Sequence, residues 1–69
     1  MNKTLYSFKI HFVIAKEDTV LEEGSVPVSY YAESKEEAVV KAQEVGQAMA
    51  RSAEANYEAT LYYRIENHR

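Results

Sequence analysis

The sequence predicts an α+β fold in which a three-stranded antiparallel sheet of order 2-1-3 carries one helix on one face. Two segments of two-residue alternation precede a segment of helical periodicity, and a third alternating segment follows it, giving the order β-β-α-β. A chain of 69 residues allows one domain, so we expect a single domain over 1–69. The expected strands cover about 5–15, 25–32 and 57–66, and the expected helix covers about 35–54.

The first strand is predicted from the strict alternation between Leu5 and Ala15. Positions on one side are large and apolar, whereas positions on the other side are mixed, as in a strand with one buried face. We expect the apolar side to face the helix. It consists of Tyr6, Phe8, Ile10, Phe12 and Ile14.

The second strand follows a charged segment, "KEDTVLEEG", that is typical of a connection. We interpret residues 16–24 as a long hairpin connection in which Gly24 supplies a positive φ, with residues 19–21 able to extend the second strand. Pro27 has no backbone N–H to donate, so this strand is expected at a sheet edge.

The helix begins at the stretch "SKEEAVVKAQEV". Ser34 can accept a bond from a backbone N–H, and Glu37 can reach back to the cap, so the stretch is a capping box. A stripe of small and apolar residues at helical spacing is expected to face the sheet. It consists of Ala38, Ala42, Val45, Met49 and Ala53, widened by Val39, Gly46 and Ala50.

The third strand is predicted from the alternation after Asn56, a residue that tolerates the left-handed conformation at helix ends. We expect Tyr57 to begin this strand and residues 67–69 to form a short tail. The helix carries the chain back across the sheet, so the third strand can pair antiparallel with the first. This order places the most apolar strand at the centre and Pro27 at an edge.

Composition favours a protein of the cytoplasm. The chain has no cysteine, so it needs no oxidising compartment. Its first residues lack the continuous apolar stretch of a secretory signal, and no segment approaches the roughly 20 apolar residues of a membrane span. The net charge of −3 disfavours non-specific attraction to nucleic acid or anionic lipid. We expect no membrane association.

One helix covers only one face of a three-stranded sheet, so the other face is predicted to be free. Three alternatives remain open for it: a solvated face, a protein interface that includes a homodimer through the sheet, and a platform for single-stranded nucleic acid. Tyr and Arg dominate many protein contacts, which ranks a protein partner above RNA. The candidate partner-binding residues are Lys9, His11, Tyr31, Tyr62 and Arg64.

The sequence contains no recognisable catalytic or metal-binding motif. His11 and His68 have no cysteine or helical histidine partner, and no serine lies in a Gly-x-Ser-x-Gly elbow. The paired acids lack the alternating oxygen ligands of an EF-hand. We therefore expect a non-enzymatic protein without a cofactor or a metal ion.

The turn "AESKEEA" at residues 32–38 leads from a strand into a helix in a compact strand-strand-helix-strand chain. In this respect the chain resembles small proteins of bacteriophages and mobile elements, including several anti-CRISPR proteins. The resemblance implies a non-enzymatic inhibitor that binds and blocks a bacterial nucleic-acid-handling defence complex in the host cytoplasm. It covers the architecture and this one turn, and no functional residue is carried over.

Two surfaces compete within the inhibitor interpretation. The sheet face can dock through its aromatic residues, or an acidic surface can occupy a channel that normally takes phosphates. Binding through acids weakens steeply with ionic strength, whereas an aromatic anchor weakens little. The acidic candidates are Glu17, Asp18, Glu22, Glu23, Glu36, Glu37 and Glu44.

Overall fold

The computed structural model describes residues 2–68, which form three strands and one helix. These are β1 (Thr4–Lys16), β2 (Thr19–Ala32), α1 (Lys35–Tyr57) and β3 (Thr60–His68). The sheet is antiparallel throughout, with the order β2-β1-β3. In the chain, α1 follows β2 and precedes β3. The predicted α+β fold and strand order are therefore confirmed.

The central strand buries the side that the alternation predicted. Phe8, Ile10 and Ile14 are 2%, 0% and 8% exposed, and Tyr6 and Phe12 between and beside them are half-buried. Because successive side chains in a strand point to opposite faces, these five residues share the face that α1 covers. The large apolar residues of β1 are thus the floor of the core.

The connection between β1 and β2 is shorter than predicted. Lys16 pairs with Thr19, so only Glu17 and Asp18 lie in the turn, and both have positive φ values of 50° and 65°. Two positive φ values are typical of the type I′ turn, whose twist matches that of a hairpin. The expected long connection over 16–24 is wrong, because a tight turn formed without the Asn-Gly pair that usually signals it. The extension of the second strand over residues 19–21 is confirmed.

Gly24 does not act as a turn residue. It lies within β2 opposite Phe12, and no described glycine has a positive φ. A Cβ at this position would lie 3.2 Å from Cζ of Phe12, so the glycine makes room for the ring. The strand pairing is irregular further on, between Ile14 and Ala15, where Leu21 is the extra residue of a bulge.

The start of α1 agrees with the predicted cap at Ser34. Ser34 has an extended backbone, and its Oγ accepts a bond from the backbone N–H of Glu37 at 3.2 Å. This bond satisfies one of the four N–H groups that a helix start leaves without an internal partner. The second bond of the predicted capping box is not formed, because the carboxylate of Glu37 turns toward Nζ of Lys41, 3.9 Å away and one turn along the helix.

The end of α1 lies beyond the predicted position. Asn56 remains helical, and its side-chain amide donates to Oγ of Ser52 at 3.0 Å. The left-handed residue is instead Glu58, with φ 53°, whose N–H donates to the carbonyl groups of residues 53 and 54. Tyr57 therefore belongs to the helix and is 58% exposed, so its expected place in the third strand is wrong. The expected tail is also shorter, since residues 67 and 68 belong to β3 and residue 69 lies outside the described residues.

Small residues allow the helix to lie close to the sheet. The fully buried positions of α1 are Ala38, Ala42, Gly46 and Ala53. Near the helix start they pack on Phe8, and near its end on Ile14 and Leu61, in two separate clusters. Large side chains of the sheet thereby fill the space that the small helix residues leave, as close packing requires.

The molecule is long and thin. Its extents are 47 × 21 × 13 Å, and its radius of gyration of 13.6 Å exceeds the roughly 11 Å of a compact chain of this length. The accessible surface is 5059 Å², against about 4400 Å² for a compact protein of this mass. The core is consequently small, and single substitutions in it should have large effects.

Gly46→Ala should destabilise the fold although alanine is the better helix former. A Cβ at residue 46 would lie 2.5–2.8 Å from the ring of Tyr63, so the ring or the helix must shift. We expect a loss of about 1–3 kcal/mol in the free energy of unfolding by urea. The exposed Gln47→Ala should change it by less than about 0.5 kcal/mol. In a Tyr63→Leu background Gly46→Ala should cost less than it does in the original chain, and an equal cost in both backgrounds would contradict the contact.

Replacing the hairpin turn should stabilise the fold. Glu17→Asn with Asp18→Gly supplies the residues that best tolerate two positive φ values, and we expect a gain of about 1 kcal/mol in the free energy of unfolding. Glu17→Gln with Asp18→Ser removes the same charges without the conformational benefit. Equal gains in both double variants would attribute the effect to charge rather than to the backbone.

Candidate interaction surface on the open sheet face

The face of the sheet opposite α1, called the open face below, is covered by no element of residues 2–68. Strand alternation and register place alternate residues of all three strands on it. From β1 and β2 it receives Leu5, Ser7, Lys9, His11, Val13, Ala15, Val20, Glu23, Ser25, Pro27, Ser29 and Tyr31. From β3 it receives Thr60, Tyr62, Arg64 and Glu66.

Four ionisable residues meet at the centre of the open face, and we call them the charged cluster: Lys9, His11, Arg64 and Glu66. The register places Lys9 opposite Glu66 and His11 opposite Arg64. A diagonal contact joins the two rows, since Nε2 of His11 lies 2.7 Å from Oε1 of Glu66. Three of the five predicted partner-binding residues therefore lie together, and the structure adds an acid to them.

The carboxylate of Glu66 is held in its charged form by its neighbours. Its pKa is lowered, first by the hydrogen bond from His11 and then by the charge of that imidazole; slight desolvation opposes this, and Arg64 and Lys9 add smaller lowering contributions. A carboxylate that accepts a bond and faces positive charges is easier to ionise. The charged cluster thus has both signs at neutral pH.

The other two predicted residues, Tyr31 and Tyr62, lie on opposite sides of the charged cluster. Each is 64% exposed. Tyr31 pairs with Leu5 and Tyr62 pairs with Val13, positions separated by about 27 Å along β1 at the usual rise per strand residue. The open face therefore carries two separate aromatic positions rather than one aromatic platform.

One exposed aliphatic side chain lies at each end of the open face. Leu5 is 50% exposed and lies opposite Tyr31. At the other end Val20 is 54% exposed on β2, with β1 between it and Tyr62 on β3. Only the Tyr31 end thus pairs an aromatic ring directly with an exposed aliphatic side chain.

The structure separates the predicted acidic residues instead of joining them. Glu17 and Asp18 form the hairpin turn, and the paired residues Glu22 and Glu23 point to opposite faces of β2. Glu36 and Glu37, in the first turn of α1, lie at the other end of the sheet. The helix starts shortly after Ala32, which pairs with the first residue of β1, far from the hairpin turn.

Glu44 lies in the middle of α1, on the side toward β2. Its charge contributes to the raised pKa of Tyr30, after the larger contribution from burial of that phenol. The acidic candidates therefore form two groups at the ends of the molecule and one isolated residue. They do not form a continuous row that could imitate the phosphates of a nucleic-acid strand.

Glu66 is the member of the charged cluster that the sequence-based prediction omitted. Alternation assigns it to the same side of β3 as Tyr62 and Arg64, and antiparallel pairing places it opposite Lys9. A search for opposite charges on facing strand positions would have found the pair with Lys9. The diagonal bond to His11 depends on side-chain conformation, for which the sequence carries no signal.

Two grooves lie on the other face of the sheet, between α1 and β3. One, near the helix end, has a volume of about 570 Å³ and is called the acidic groove; the other, near the helix start, has about 450 Å³ and is called the basic groove. The acidic groove is lined by Ala50, Glu54, Glu58, Ala59, Thr60 and Leu61. The basic groove is lined by Phe8, Lys35, Val39, Gln43, Tyr63, Ile65 and Asn67.

Residues 2–68 bring together no group of three or more His, Cys, Asp or Glu side chains that could hold a metal ion. Over the same residues, the helix lacks the apolar character that a passage through a membrane demands. The chain matches no protein-family model, and no curated protein or solved structure is significantly similar to it. The resemblance to phage proteins stays a prediction, and function is inferred below from the geometry of the surface.

The bond between His11 and Glu66 should be visible in the pH dependence of stability. Since the pKa of Glu66 is lowered in the folded state, its contribution is present above the ordinary pKa of glutamate and is lost as the pH falls through the lowered value. Carboxyl NMR should show Glu66 titrating at a higher pH in His11→Ala than in the unchanged chain. The stability difference between the unchanged chain and Glu66→Gln should shrink over the same acidic range. Identical titration of Glu66 in both chains would contradict the contact.

Proposed function

We propose that this chain is a non-enzymatic interaction module that binds a protein partner through the open face. The observation that carries this is the pattern of the face, in which a charged cluster of both signs lies between two exposed tyrosines. Tyr and Arg are enriched among the residues that dominate protein contacts. Tyr62 and Arg64 lie two positions apart on β3, on the same side of the strand, and are the proposed centre of the contact.

The composition of the charged cluster favours a protein over a nucleic acid. Glu66 lies between Lys9 and His11 and offsets positive charge at the place where a phosphate would bind. Proteins that bind single strands use cationic grooves and stack successive bases on neighbouring aromatic rings. The separation of Tyr31 from Tyr62 does not suit consecutive bases, and the net charge of −3 repels phosphate at long range.

The partner we propose is a bacterial nucleic-acid-handling complex, which the chain binds and blocks in the host cytoplasm. Support for an inhibitor is the small size of the chain, the two-layer architecture of the phage proteins it resembles and a rigid sheet that presents the contact residues. Sheet positions need little ordering on binding, which lowers the entropic cost of a small interface. The contact is through the open face rather than through the acids, because the acids lie apart.

Capture from a bacterial lysate, followed by mass spectrometry, tests the proposed face. We expect Tyr62→Ala with Arg64→Ala to reduce the captured partner at least about tenfold, because truncated anchor residues commonly cost this much. Tyr57→Ala is the matched control, since Tyr57 is exposed to a similar degree but lies on the helix. The purified partner should lose nucleic-acid binding or cleavage when the unchanged chain is added.

Three other outcomes would each contradict the proposed function or its contact surface. Equal loss of partner in the double variant and in Tyr57→Ala would exclude the open face. Micromolar binding of labelled single-stranded RNA, abolished by Tyr62→Ala and by Lys9→Ala, would identify a nucleic-acid-binding module. Capture that falls steeply with salt and depends on Glu17 and Asp18 would move the contact to the acids of the hairpin.

A further inference from the structure

The outer edge of β3 is the better of the two sheet edges for pairing with another strand. Edge strands expose unpaired N–H and C=O groups, and proline and bulges are common means of blocking them. The β2 edge has both, at Pro27 and Leu21. β3 has neither over its described length, and its register with β1 is uninterrupted.

The acidic and basic grooves lie along this same edge and have opposite charges. Glu54 and Glu58 line the acidic groove, where β3 begins, and Lys35 lines the basic groove, toward the end of β3. All three side chains are exposed. A two-fold axis through the middle of β3 exchanges the two ends, so each groove would meet the groove of opposite charge.

These charges also oppose the dipole of α1. Lys35 is the first residue of the helix, where negative charge is favoured, and Glu54 and Glu58 lie at its end, where positive charge is favoured. The last turn contains no basic residue. A neighbouring molecule that supplies the opposite charge at each end would offset both unfavourable placements.

We propose that two copies of this chain pair through β3 to form a continuous six-stranded antiparallel sheet, with both helices on the same face. The pairing joins edges, so the open face of each copy stays exposed. It therefore goes beyond the proposed function and does not depend on it. The added contact would compensate for the small core and the large accessible surface of the single chain.

The register we propose is one of those that place residues of the same side of the sheet opposite each other and keep like charges apart. Two residues that lie directly opposite each other on antiparallel strands point to the same side of the sheet. The two-fold axis must therefore pass next to a residue that faces the same residue of the second copy. An axis at Arg64 would oppose two arginines, which is unfavourable. An axis at Tyr63 places Leu61 opposite Ile65 of the second copy in the helix layer and Tyr62 opposite Arg64 of the second copy on the open face, and each pair occurs twice.

Charge exchange tests the proposed dimer in solution. The original chain should sediment at twice its mass of 7.9 kDa. We expect the dissociation constant of the dimer to be below about 100 μM. Lys35→Glu alone, and Glu54→Lys with Glu58→Lys, should each raise the dissociation constant at least about tenfold, because like charges then face each other. Both sets of changes suit the helix dipole better than the original residues do, so unfolding does not explain a loss.

Mixing the two charge variants should restore the dimer, since a mixed pair has opposite charges at both contacts. The chain has no cysteine, so single-cysteine variants report the register directly. Tyr63→Cys should cross-link to itself under oxidation, because residues facing across the axis are within disulfide reach; Ser25→Cys on the β2 edge should not. A monomer at about 100 μM, no recovery on mixing, or cross-linking at Ser25→Cys in place of Tyr63→Cys would overturn the proposal.

Discussion

A single helix can shield only one face of a three-stranded sheet, and the remaining features of this molecule depend on that constraint. The covered face takes the large apolar residues of the central strand, such as Phe8 and Ile10, and the helix meets them with alanine and glycine. Contact between Gly46 and the ring of Tyr63 limits how closely the two layers approach. What remains for the open face is a strand surface of polar, ionic and aromatic residues, fixed by the backbone on which they lie.

The same arrangement would separate the two uses that we propose for the sheet. The proposed partner contact involves side chains that point away from the helix, whereas the proposed pairing through β3 involves backbone groups at its edge and charges beside the helix. The positions of Tyr31, Arg64 and Tyr62 on one face followed from alternation alone. The role of Glu66 did not, because its bond to His11 crosses between rows and depends on side-chain conformation.

Long-range order was predictable from the sequence because several simple constraints agree on it. Alternation defined three strands, Pro27 indicated an edge, and Ser34 defined the helix start, which together leave the order 2-1-3. Local backbone conformation was less predictable. The turn at 17–18 and the cap at Glu58 place acidic residues at positive φ, where glycine or asparagine is the usual signal, and Gly24 serves packing in a strand. In each case tertiary structure prevailed over local preference.

Paramagnetic relaxation by a soluble, uncharged probe tests most directly whether the sheet has one free face. Methyl groups of Leu5 and Val20 lie on the open face and are half-exposed, whereas those of Ile10 and Ile14 lie beneath the helix. We expect strong relaxation of the first pair and protection of the second pair, both in the free chain and in the proposed dimer. Equal protection of all four residues in the free chain would mean that both faces are covered, which would contradict this account of the molecule.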